Sequence, residues 1–137
     1  MRKYFGTDGI RGAFDDFLTV DIARRCGNAV GASKLGARIV LGGDTRTTRN
    51  LITSAFSLGA MEAGAKIVDV GVCTTPGISF LTKKLRADFG VVVSASHNPP
   101  NYNGIKIFDY NGIKLSDEQE DKLEGKFDNY VKLDGFS

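Results

Sequence analysis

The 17 residues from Phe89 to Ile105 form the longest stretch without a formal charge, yet they hold the chain's single His, two of its three Pro and three of its seven Asn. At their centre stands Ser94-Ala95-Ser96-His97-Asn98-Pro99-Pro100. Ser96 and His97 suggest first a hydrolase pair. Neighbours on an extended segment point to opposite faces, however, and no G-x-S-x-G turn surrounds the serine, so acyl transfer by a local Ser and His is disfavoured. A serine can instead accept a phosphoryl group. That group brings roughly −1.5 to −2 charges and acceptor oxygens that require cations and N–H donors. Lys106 supplies one cation ten residues on, and Arg11 and Arg46 lie in Gly-rich or turn-rich segments.

Each of these residues also has a plainer reading. Ser96 and His97 suit a polar turn, and Lys106, between Ile105 and Ile107, suits the solvated side of an alternating strand. Arg11 suits a cap or a pair with Asp8, and Asp44-Thr45-Arg46 suits a turn with an N-cap. Gly42-Gly43 lacks the spacing of a P-loop or dinucleotide fingerprint.

The elements that must position these residues alternate. Thr19-Val20-Asp21 reads as a helix start, with Ile22, Cys26, Ala29, Val30 and Ser33 at helical spacing and an end near Gly36. Ala37 to Leu41 reads as a strand running into Gly42-Gly43. A second helix carries Leu51, Ile52, Ala55, Phe56 and Gly59 on one face and stops at Gly64. Lys66 to Val72 is a strand, and Thr75 to Leu85 a helix with Pro76 in its first turn. Phe89 to Val93 is a continuous apolar run, the mark of a strand buried on both faces. Ile105 to Tyr110 and Gly112 to Leu115 form a strand pair around Asn111-Gly112, and Ser116 with Gln119 gives a capping box for a last helix to about Asp128. This alternation predicts an α/β fold, a three-layer α/β/α sandwich with a mixed, mostly parallel sheet. Ligands bind beyond the carboxyl ends of such strands, which is where the segment starting at Ser94 falls.

Composition bounds the rest. A chain of 137 residues with 18 Lys plus Arg against 16 Asp plus Glu is one domain's worth of sequence with no basic stripe, so nucleic acid is not an expected partner. No apolar segment approaches the roughly 20 residues of a membrane span, and no apolar signal core follows the basic start. Cys26 and Cys73 have neither C-x-x-C spacing nor enough His for a zinc site, and read as reduced core thiols of a cytoplasmic protein.

Four segments in order, Lys3 to Gly12, Gly43-Asp44-Thr45-Arg46, Thr75-Pro76, and Ser94 to Pro99 through Asn103-Gly104-Ile105-Lys106, resemble the α-D-phosphohexomutases. The opening Phe5-Gly6-Thr7-Asp8-Gly9-Ile10-Arg11-Gly12 is most similar to the bacterial branch that acts on glucosamine phosphates. The resemblance covers essentially the whole chain. It implies that Ser96 carries a phosphoryl group between turnovers and passes it to glucosamine 6-phosphate or glucosamine 1-phosphate through a bisphosphate. It further implies proton transfer and charge stabilisation by Lys106 and His97, a grip on the transferring phosphate by Arg11, and Mg2+ bound through Ser96. Family members hold that metal with an Asp-x-Asp-x-Asp loop from a following domain, and no such triplet occurs between Met1 and Ser137. Residues 1–137 are therefore expected to be domain I alone, inactive without the metal-binding and sugar-binding domains. Thr47-Thr48-Arg49 is a smaller departure, since the family more often has small residues there. The alternatives are a mutase of mannose or glucose phosphates and a non-catalytic phosphate-binding module.

Overall fold

In the computed structural model, residues 4–6, 9–13, 18–44, 49–94 and 102–133 are described. The elements follow in the order β1 (Ile10–Ala13), α1 (Val20–Ala32), β2 (Arg38–Gly43), α2 (Arg49–Glu62), β3 (Lys66–Val72), α3 (Thr75–Lys84), β4 (Phe89–Val93), β5 (Tyr102–Phe108) and α4 (Asp117–Glu124). Local chemistry sets several of their ends. Thr19 accepts a hydrogen bond from Ile22 N at the start of α1, and Thr74 accepts one from Gly77 N at the start of α3. Ser116 and Gln119 complete both halves of a capping box before α4.

The five strands form one sheet in the order β1-β5-β4-β2-β3. β2 pairs in parallel with β3 and β4, while β5 runs antiparallel to both β4 and β1, so four strands point one way and β5 opposes them. One apolar cluster on one face of the sheet joins Ile39, Leu41, Val91, Val93, Ile105 and Ile107 to Ile22, Cys26, Ile52, Phe56, Leu123 and Phe127 of the helical layer. A smaller cluster, Val40, Val92 and Phe108 with Ile78, lies under α3 on the other face. The expected three-layer α/β/α sandwich is thus the fold.

Within the helical layer, α1 and α2 cross at backbone contact. A Cβ at Gly59 would stand 1.9 Å from Arg24 O, so only glycine admits that approach. Residues 127–133 are tied across this crossing. Buried Asn28 donates through Nδ2 to Gly59 O (2.9 Å) and Val131 O (2.7 Å), and its Oδ1 accepts from Val131 N (2.7 Å). Arg24 donates to Glu62 Oε1 (2.7 Å) and to the Tyr130 hydroxyl (2.8 Å), and that hydroxyl donates in turn to Glu62. Leu133 N closes the strap on Glu62 O (2.9 Å).

Three local expectations change. β1 is a strand where the sequence reads as a Gly-rich segment, because its ladder partner, β5, lies about ninety residues away. Gly112 to Leu115 keeps only an isolated bridge, Phe108 with Lys114, because the Asp109 carboxylate takes up the amides of Asn111 and Ile113 and curls the chain. Helix α4 ends at Glu124, and the turns that follow carry Phe127 into the core.

Candidate active site

β2 and β4 are adjacent and parallel, and both end at the same edge of the sheet. There the backbones converge: Asp44 N donates to Val93 O (3.3 Å), Cys73 N to Gly43 O (2.8 Å) and Ser94 N to Gly104 O (2.9 Å). A Cβ at Gly43 would sit 2.1 Å from Val93 O, which accounts for glycine at this position. Ser94 Oγ donates to Asp44 Oδ2 at 2.9 Å, linking the end of β2 to the first residue of the connection between β4 and β5. Sequence reasoning missed this pair. Its one signal was an Asp directly after Gly42-Gly43.

A cavity of about 520 Å³ opens at this edge, lined by Asp44 and Ser94 together with Cys73, Thr74, Thr75 and Pro76 at the start of α3. Cys73 is therefore half-buried and faces the cavity, where the sequence placed it in the core. Cys26 is a core thiol as expected, and burial pushes its pKa far up, which keeps it protonated and unreactive.

Arg11 lies on β1 rather than in a loop, opposite Gly104, while Lys106 lies opposite Val92. Directly opposed residues of an antiparallel pair share a face, and so do residues two apart on one strand. Arg11 and Lys106 thus stand on one face as diagonal neighbours, a spacing of roughly 7–8 Å that is somewhat shorter between Cβ atoms. That face is the one bearing Val92, and both cations are half-buried on β1 and β5, beyond the β2 and β4 strands that α3 packs against. Two cations so placed can hold an anionic group delivered at the end of β4. Ser96, His97, Thr45 and Arg46 lie outside the described residues, so chain connectivity alone puts Ser96 and His97 in the segment joining β4 to β5.

No group of three or more His, Cys, Asp or Glu side chains among the described residues could hold a metal ion, so these donors do not build a cation site. Among the described residues no helix is long and apolar enough to cross a membrane.

Residues 2–134 match the family model described as phosphoglucomutase/phosphomannomutase, alpha/beta/alpha domain I. The chain is similar to the phosphoglucosamine mutase of Clostridioides difficile strain 630, 45% identical over 98% of the chain and 31% of the relative. It is likewise similar to that of Prochlorococcus marinus subsp. pastoris, 47% identical over 97% of the chain and 28% of the relative. Among solved structures, a protein of Thermus thermophilus superposes with a TM-score of 0.84 at 32% identity, over 93% of this chain and 30% of that one. A phosphoglucomutase/phosphomannomutase family protein from Burkholderia thailandensis does so with 0.81 at 29% identity, over 94% and 31%. The chain thus spans less than a third of the length of these relatives.

Proposed function

The chain belongs to the phosphoglucomutase/phosphomannomutase family as its α/β/α domain I, and from that premise we propose that it is the phosphoryl-carrying domain of a cytoplasmic mutase interconverting glucosamine 6-phosphate and glucosamine 1-phosphate. The observation that carries the reading is the placement of Arg11 and Lys106 on one sheet face, beside the connection that contains Ser96 and His97. The names and identities of the curated relatives favour the glucosamine substrate over mannose or glucose phosphates.

In the proposed cycle a phosphoryl group on Ser96 Oγ moves to a free hydroxyl of the sugar monophosphate. The Ser96 O–P bond breaks, a new sugar O–P bond forms, and the hydroxyl proton passes to a nearby base, for which His97 and Lys106 are the candidates. Arg11 holds the oxygens of the transferring group. The resulting bisphosphate turns over and returns its other phosphoryl group to Ser96. Such transfer demands chiefly positioning and positive charge around the phosphoryl oxygens, a demand that two cations fixed on strands meet well. Mg2+ on the phosphoserine belongs to the same reading and would take its carboxylates from the length of the relatives that this chain does not span. Sugar-binding groups would come from there as well, so the 137 residues alone are expected to be inactive.

The test is Ser96→Ala in the full-length gene product. Loss of turnover, together with loss of the covalently bound phosphoryl group in the intact mass and an unchanged circular dichroism spectrum, is expected. Near-normal mutase activity in Ser96→Ala would refute the phosphoserine role.

A further inference from the structure

The opposite edge of the sheet carries a second and larger cleft. A cavity of about 710 Å³ opens at the amino ends of β2 and β4, lined by Lys83 and Arg86 at the end of α3, Phe89 at the start of β4, and Tyr110 and Asn111 after β5. Gly90 lies opposite Phe108 in the antiparallel β4–β5 ladder, which brings residues 109–111 to this end, a full strand's length from Ser94. The volume is in the range of pockets that bury small organic ligands.

Arg86 is the residue that local structure explains least. Ala87 N donates to Thr82 O (2.9 Å) and Arg86 N to Lys83 O (3.2 Å), closing α3 with the paired bonds of a Schellman motif. That motif needs left-handed backbone at Arg86, whose φ is 54°, and among the described residues it is the one non-glycine with positive φ. Glycine is the usual occupant and would relieve the strain. Non-glycine residues held in left-handed backbone cluster at ligand-binding and active sites.

The charges around Arg86 are unevenly committed. Asp88 already accepts from Lys34 Nζ (2.5 Å) and Arg38 N (2.8 Å), and Asp109 from the amides of Asn111 (2.9 Å) and Ile113 (3.1 Å). Lys83 and Arg86 have no ion-pair partner among the described residues. The cleft, which Lys34, Asp88 and Asp109 also line, thus sets three cations against two carboxylates, and its two cations without an ion pair, one of them an arginine suited to bidentate contacts to phosphate, stand with an exposed phenol ring and a half-buried phenyl ring. A cation at a helix carboxyl end also complements the helix dipole, which accounts for Lys83 but not for arginine at a position where glycine is less strained.

We propose that this cleft binds a nucleotide, with its phosphates on Lys83 and Arg86 and its base against Tyr110. The test is calorimetric titration of the purified protein with ADP, adenosine and inorganic phosphate, each into wild type, Arg86→Gly, Lys83→Glu and Tyr110→Ala. ADP is expected to bind wild type more tightly than either partial ligand. Arg86→Gly should raise the melting temperature while weakening ADP by about tenfold, the loss of one charge-assisted contact. Tyr110→Ala should weaken ADP and leave inorganic phosphate unchanged. The proposal is overturned if ADP fails to bind wild type at millimolar concentration, or if inorganic phosphate binds as tightly as ADP. It is equally overturned if Arg86→Gly stabilises the protein with ADP binding unchanged, which would reduce Arg86 to a helix-end residue.

Discussion

Asn28→Ala should unfasten the strap across α1 and α2 before it unfolds anything else. The side chain is 1% exposed and makes three hydrogen bonds, one to Gly59 O and two to the backbone of Val131. At about 1 kcal/mol net per bond the ceiling is about 3 kcal/mol. Two considerations lower it. Gly59 O still accepts from Ala63 N, and Val131 can regain water by lifting away. A global loss of about 2 kcal/mol is therefore expected, read as a fall in the urea midpoint at constant slope. Opening of the strap alone should ease by about as much. Losing both bonds to Val131 should raise exchange of its amide by about thirty-fold, while amides of β4 keep protection that tracks global stability. Asn28→Asp is the control, since a carboxylate can still accept from Val131 N but must face two carbonyl oxygens; it should be at least as damaging as alanine. If Val131 exchanges within a factor of about two of wild type in Asn28→Ala, Asn28 is not the anchor of this segment.

Two further predictions concern charge. The hydrogen bond from Tyr130, opposed by burial and reinforced by Arg24 and Lys132, holds the Glu62 carboxyl below its ordinary value of 4.5. A depressed carboxylate contributes stability that is complete above the unfolded pKa and disappears as pH falls through the folded one. Wild type should thus exceed Glu62→Gln in stability at neutral pH, with the gap closing below about pH 4.5. Denaturant midpoints across pH will show it, and a gap independent of pH would contradict the linkage. At the candidate site, Lys106→Ala in the full-length gene product should lower kcat by about 10²-fold or more with a smaller change in KM, as expected for charge that acts mainly in the transition state. An unchanged kcat would remove Lys106 from the proposed cycle.

Local signals revealed most of the scaffold. The Thr19 cap, Pro76 in the first turn of α3 and the Ser116–Gln119 box each act within a few residues, and each stands where the spacing predicts. β1 escaped because four residues with two polar or glycine members carry no periodicity, and its partner is remote in the chain. The same distance hid the site's geometry. Nothing in Ile10-Arg11-Gly12 or Ile105-Lys106-Ile107 tells that register will set the two cations on one face, or that Ser94 will reach Asp44 from fifty residues away. Arg86 at a helix end was equally silent, since its backbone angle is a property of how α3 stops.

The reversal of β5 bears on how such a domain can diversify. Because β4 and β5 are antiparallel neighbours, the segment bearing Ser96 joins two strand ends already pinned by the Ser94–Gly104 hydrogen bond. Lengthening such a connection costs little closure entropy, about 0.6 kcal/mol for each doubling. Insertions and exchanges between Val93 and Tyr102 would therefore move Ser96 relative to cations that stay fixed on β1 and β5, with no crossover helix to rebuild. The connection can drift in this way without undoing the ladder that holds Arg11 and Lys106, although those two cations stay tied to the core strands that carry them.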